Sequence, residues 1–169
     1  MGSQTRQRLT EALESLAVTT SSATAADLPD HVARVIDEPA VGAPLPFAPG
    51  ALEATAVDTD PTPDSLASAR TGVTPARFAI AEYGTLAIPS TSAGEEPVSL
   101  YPPKHVAVVA ESDVYDDLGG AFDRLAGEFA DGTDSVVFAT GVSATADMGE
   151  LVEGVHGPRE VHVVVVTDR

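Results

Sequence analysis

Three short apolar runs, at residues 106–110, 136–139 and 161–166, constrain this chain's fold more than any other feature. The last is interrupted only by His162, and all fall far short of the roughly 20 residues a helix needs to cross a bilayer. Such runs mark strands covered on both faces, the habit of parallel sheets. Between the first two, Val114, Leu118, Phe122, Leu125 and Phe129 recur at helical spacing, predicting an amphipathic helix over 113–129 that buries them. Asp113, Asp116 and Asp117 suit the positive end of its dipole. A second, shorter helix is expected over 146–152. Strand, helix, strand, helix, strand with short connections predicts right-handed βαβ units: an α/β fold, a mainly parallel sheet with helices on both faces.

Upstream, the pattern is less regular. Leu9, Ala12, Leu13 and Leu16 predict a first helix over 5–16, and the Ser/Thr/Ala tract at 19–26 reads as a loop or linker. Asp30 is a candidate cap for a helix through Val35 and Ile36, ended by Pro39. Six prolines between Glu38 and Pro63 leave room only for short strands and helix fragments such as 51–57. Asp64 is expected to cap a helix through Ala69, with Gly72 and Pro75 as breakers after it. Phe78 and Ile80, then Leu86 and Ile88, alternate about a turn at Tyr83-Gly84, which is a hairpin signal. One domain of 169 residues is expected, with 1–63 adding a helix and an irregular proline-rich part to an α/β core at 64–169.

Charge narrows the function classes. The chain has 26 Asp and Glu against nine Lys and Arg, net −17, and Lys104 is the only lysine. Dispersed carboxylates with almost no lysine read as adaptation to a cytoplasm of molar salt, where a Debye length of about 3 Å screens their repulsion. The excess repels phosphodiester backbones and no stretch gathers cations, so nucleic acid is not an expected partner. Without cysteine the chain cannot supply thiolates to an iron–sulfur cluster or a zinc site, and no cofactor or metal is assigned to it. Residues 1–17 lack the basic start and apolar core of a signal peptide, so a cytoplasmic protein with no membrane insertion is expected.

Ligands of open α/β sheets bind beyond the C-terminal strand ends, which directs attention to 141–147, 111–113 and Glu82. In the stretch GVSATADMGELVEGVHGP at 141–158, Thr145 can cap the expected helix and leave N–H groups free for a carboxylate or phosphate. The same residues also make an ordinary helix start. His156, set among glycines, can bind a carboxylate or move a proton near neutral pH, or can simply bond a carbonyl in the turn. Glu82 interrupts an apolar alternation and reads either as a pocket carboxylate or as a charge that protects a hairpin edge. The candidate catalytic residues are therefore Glu82, Asp147 and His156; the candidate ligand-binding residues are Gly84, Thr85, Gly141, Ser143, Thr145, Gly154 and Gly157. His105, at a strand start, is expected to be structural, and His31 and His162 to be helix-surface and strand residues.

Three segments carry a resemblance to the LUD domain, the lactate utilization protein C family. AIAEYGTLAIPS at 79–90 is similar to the family's AIAETGTLVL, and LYPPKHVAVV at 100–109 to its LLPPVHIVVV. GVSATADMGELVEGVHGPREVHVVVV at 141–166 is similar to GPSRTADIE followed by GVHGPRELHVVLV. The likeness covers about residues 64–167 and departs at Tyr83, where Thr is usual, at Ala144, where a basic residue is common, and at Lys104, where Val is usual. It implies a Rossmann-like layered fold of the type found in ribose-phosphate isomerases, glucosamine-phosphate deaminases and CoA transferases (NagB/RpiA/CoA transferase-like). It also implies action beside two iron–sulfur partner proteins that oxidise L-lactate to pyruvate, with the clusters in the partners. This chain's pocket would then take a small organic acid or a phosphorylated ligand. A second class left open is an independent enzyme that uses Glu82, Asp147 and His156 for acid–base or acyl-transfer chemistry on a small phosphorylated or CoA-linked substrate, and a third is a purely structural domain whose loop is only a helix start.

Overall fold

A computed structural model describes residues 2–133, 135–147, 150–153 and 156–169. Helix α1 (Gly2–Ser15) is followed by strand β1 (Thr19–Ala23), helix α2 (Leu28–Val35) and the short strands β2 (Ala40–Gly42) and β3 (Val57–Asp58). Next come helix α3 (Pro63–Ser68), strands β4 (Thr71–Pro75), β5 (Phe78–Ile80) and β6 (Thr85–Pro89), helix α4 (Glu95–Leu100) and strand β7 (Lys104–Ala110). A 3-10 turn (Glu111–Asp113), strand β8 (Val114–Tyr115) and helix α5 (Leu118–Ala130) precede β9 (Val136–Thr140), β10 (Ala144–Asp147), β11 (Glu150–Glu153) and β12 (Glu160–Val166).

Six strands form one sheet in the order β1-β12-β7-β4-β2-β3, every pair parallel. Because successive side chains on a strand point to opposite faces, the valine runs supply two cores at once. Val106, Val108, Val164 and Val166 meet Leu28 and Val32 of α2 on the first face. Ala107, Val109, Val163 and Val165 meet Leu9 and Leu13 of α1 on the second, together with Leu86 and Ile88 of a smaller sheet. Helices therefore cover both faces of a mainly parallel sheet, the Rossmann-like arrangement. The smaller sheet has the order β8-β5-β6-β9, with the β5–β6 hairpin in antiparallel register from Phe78↔Ala87 to Ile80↔Thr85. Its far side packs Phe78, Ile80 and Ala87 against Ala121 and Leu125 of α5.

Several local expectations are corrected. Residues 19–23 are no linker: they pair in parallel with β12 from Thr19↔His162 to Ala23↔Val166, with Thr19 and Ser22 exposed at the edge of the sheet. Gly72 and Pro75 do not break the chain but lie in β4, all of whose residues are buried. Asp27 rather than Asp30 precedes α2, and Thr62 rather than Asp64 caps α3 by accepting the Ser65 N–H. Residues 51–56 are turns that lead into β3, not a helix. Helix α5 starts only at Leu118, where Asp117 caps it by accepting the Gly120 N–H at 3.1 Å, and Val114 belongs to β8. The face that α5 buries holds Ala121, Leu125 and Glu128, while Leu118, Phe122 and Phe129 stay exposed. Burial of Glu128 is tolerated because Arg124 and Arg77 reach its carboxylate at 2.7 and 3.3 Å. The run at 136–139 is a half-buried edge of the smaller sheet, antiparallel to β6. The helix expected over 146–152 is instead the β10–β11 hairpin, paired from Ala144↔Glu153 to Asp147↔Glu150.

Candidate functional site

A cavity of about 290 Å³ opens where the chain turns into β7 and β12, at the N-terminal ends of those strands rather than the C-terminal ends. Its walls come from the end of α1, from α4, from β9 and the loop after it, and from His156 to Pro158. Backbone contacts hold these pieces together. The Ser143 N–H donates to Pro158 O at 2.8 Å, which ties the loop after β9 to the turn before β12. At Gly157 an added Cβ would stand 3.1 Å from Ser143 Cβ, so the two segments touch. Gly84 (φ 63°) and Gly141 (φ 75°) take the left-handed conformation that side chains resist, and both press on Leu16 just beyond α1. Across β6 and β9 the hydroxyls of Thr85 and Thr140 lie 2.8 Å apart, and Thr140 borders the cavity.

Of the residues the sequence singles out, Gly84, Gly141, Ser143, His156 and Gly157 border this cavity. Glu82 does not: it is exposed in the β5–β6 turn, where its backbone N–H donates to Asp116 O at 3.1 Å. Its break in the apolar alternation is the turn itself. Thr145 and Asp147 lie on β10, opposite Val152 and Glu150. Gly154 lies outside the described residues.

His105 is the cavity residue that strand-end reasoning assigns elsewhere. It is 2 % exposed, its Nε2 lies 2.8 Å from Thr74 Oγ1, and burial pushes its pKa down to about 4, so the ring is neutral. The signal that could have found it is its place in the segment at 100–109, between the two others that carry the resemblance.

Among the described residues no Lys, Arg, Asp or Glu borders this cavity. Its polar groups are the hydroxyls of Ser99, Thr140 and Ser143 and the imidazoles of His105 and His156, set among Leu13, Val18, Leu86, Leu100 and Phe138. A concave, mainly apolar wall with a few hydrogen-bonding groups suits a small organic molecule. Among the described residues no His, Asp and Glu side chains gather into a group that could hold a metal ion, and no helix is long and apolar enough to cross a membrane.

The LUD domain family model matches residues 6–166 of the chain. The chain is 32% identical over 105 residues to the lactate utilization protein C of Bacillus subtilis (strain 168), covering 60% of this chain and 44% of that protein. It is 30% identical over 151 residues to the lactate utilization protein C of Deinococcus radiodurans, covering 84% and 70%. The chain thus spans about half the length of several curated relatives it matches. Its fold is similar to the crystal structure of a DUF162 family protein from Deinococcus radiodurans, with a TM-score of 0.76 over 98% of both chains at 21% identity.

Proposed function

Because the chain belongs to the LUD domain family, we propose that it is an accessory subunit of an iron–sulfur system that oxidises L-lactate to pyruvate. The observation that carries this reading is the family match over residues 6–166, joined by relatives whose name is lactate utilization protein C. The chain's chemistry supports it. With no cysteine there is no thiolate to hold a cluster, so electron transfer falls to the partner proteins. The cavity suits the organic acid: Ser143, Thr140 and His156 would bind its carboxylate, while Gly84, Gly141 and Gly157 let the walls approach. Leu118, Phe122 and Phe129, exposed along one face of α5, offer an apolar surface of the kind a partner subunit covers. Separately, the acid excess and single lysine support the proposal that the protein works in a cytoplasm of molar salt.

Deleting the gene should abolish growth on L-lactate as sole carbon source while leaving growth on pyruvate intact. Growth on lactate at the parental rate would overturn the assignment.

A further inference from the structure

The cations absent from the cavity beside His156 gather on the opposite face of the sheet. There a hollow of about 270 Å³, at the start of β1, β7 and β12 and beside the end of α2, is bordered by Arg34, Lys104 and Arg159 with Thr19, Asp37 and His162. Three of the chain's nine cationic residues meet in one place on a molecule of net charge −17. In so acidic a protein each would ordinarily find its own carboxylate. Only Lys104 has done so, with Nζ 3.1 Å from Asp37 Oδ2. Arg34 donates Nε to the Asp30 carbonyl at 2.9 Å, and among the described residues neither its terminal nitrogens nor the Arg159 guanidinium has a protein partner.

Behind them runs a chain of side-chain hydrogen bonds. His162 places Nδ1 2.7 Å from Thr19 Oγ1 and Nε2 2.6 Å from Ser21 Oγ, and that hydroxyl is 2.7 Å from His31 Nε2. Burial first, then the charges of His31 and Lys104, hold the His162 pKa down at about 4. The ring therefore presents no charge of its own near neutral pH.

We propose that this hollow is a binding site for a doubly charged oxyanion, a phosphate monoester in chemical class, held by the guanidinium forks of Arg34 and Arg159 with Lys104 beside them. Two guanidiniums that lack a carboxylate partner among the described residues answer two negative charges, and their free terminal nitrogens match the oxygens of a phosphate. A monocarboxylate would leave one of them unanswered. Glu160, exposed at the head of β12, joins Asp37 as the second carboxylate of the lining, so cations still outnumber carboxylates there. The site lies across the sheet from the cavity assigned to the organic acid, and its existence does not depend on that assignment.

The test titrates the full chain with inorganic phosphate at constant ionic strength, by calorimetry and by the ring resonances of His162, with acetate as the singly charged arm. Phosphate should bind saturably at one site per chain and move the His162 resonances, and Arg34→Ala or Arg159→Ala should each weaken it about tenfold or more. Arg8→Ala, which removes an exposed arginine of α1, should leave the affinity unchanged. Both hollow variants change exposed side chains, and circular dichroism would verify that they fold. The proposal fails if phosphate does not saturate, if acetate binds as tightly, or if Arg8→Ala weakens binding as much as the hollow variants do. Failure here would leave the lactate growth test standing.

Discussion

The ring of His105, 2 % exposed, titrates at about 4 instead of the 6.5 of an unfolded chain. Between those values the unfolded chain binds a proton that the native state refuses, so the contribution of His105 is intact above pH 6.5 and is lost as pH falls toward 4. Over that interval the loss is of the order of 3 kcal/mol. His162 has the same sign, with its pKa also lowered to about 4. We expect the urea midpoint of the parent protein to fall more steeply between about pH 7 and about pH 4.5 than that of His105→Gln, which keeps a partner for Thr74 but does not titrate. Parallel profiles would show that His105 takes no part in the acid sensitivity.

Helix α4 crosses β4 at Gly72 so closely that a Cβ there would lie 1.9 Å from the carbonyl oxygen of Val98. No rotamer can relieve a clash with backbone, so Gly72→Ala must push the helix off the sheet, at a cost of about 2–4 kcal/mol. Gly127→Ala, in α5 with nothing within 4 Å of the new Cβ, should instead stabilise by up to about 1 kcal/mol. Chemical denaturation of the pair reads both signs, and a tolerated Gly72→Ala would contradict the packing. The same contact explains why β4 was hard to see: a glycine that admits a helix resembles a breaker until the helix is known. Strands β7 and β12 and the β5–β6 hairpin are legible because their patterns are local. Strand β1 is not, since its support comes from a ladder with β12, Thr19 and His162 being 143 residues apart. The C-terminal end of α5 was legible, but its start and its buried face were not, because Asp117 caps it at Leu118 and because Arg77 and Arg124 make burial of Glu128 tolerable while Phe122 stays outside. At the cavity, the glycine-rich segments foretell Ser143 and His156. The rule of C-terminal strand ends leads away from His105, because here the cavity opens at the other end of the strands.

A net charge of −17 makes the whole molecule a function of its solvent. At 0.1 M salt the Debye length is about 10 Å, long enough for neighbouring carboxylates to repel across the surface; at 1 M it is about 3 Å. Melting followed by circular dichroism should therefore move upward as KCl is raised toward molar concentration, and a melting temperature that is already high and flat in dilute buffer would contradict salt adaptation. The order of strands adds a constraint in time. Since β12 is inserted between β1 and β7, residues 160–166 complete the ladders on both sides. On the ribosome, β1 and β7 are both made before β12 and must wait with open edges until that valine-rich segment clears the exit tunnel, and only then can the sheet close.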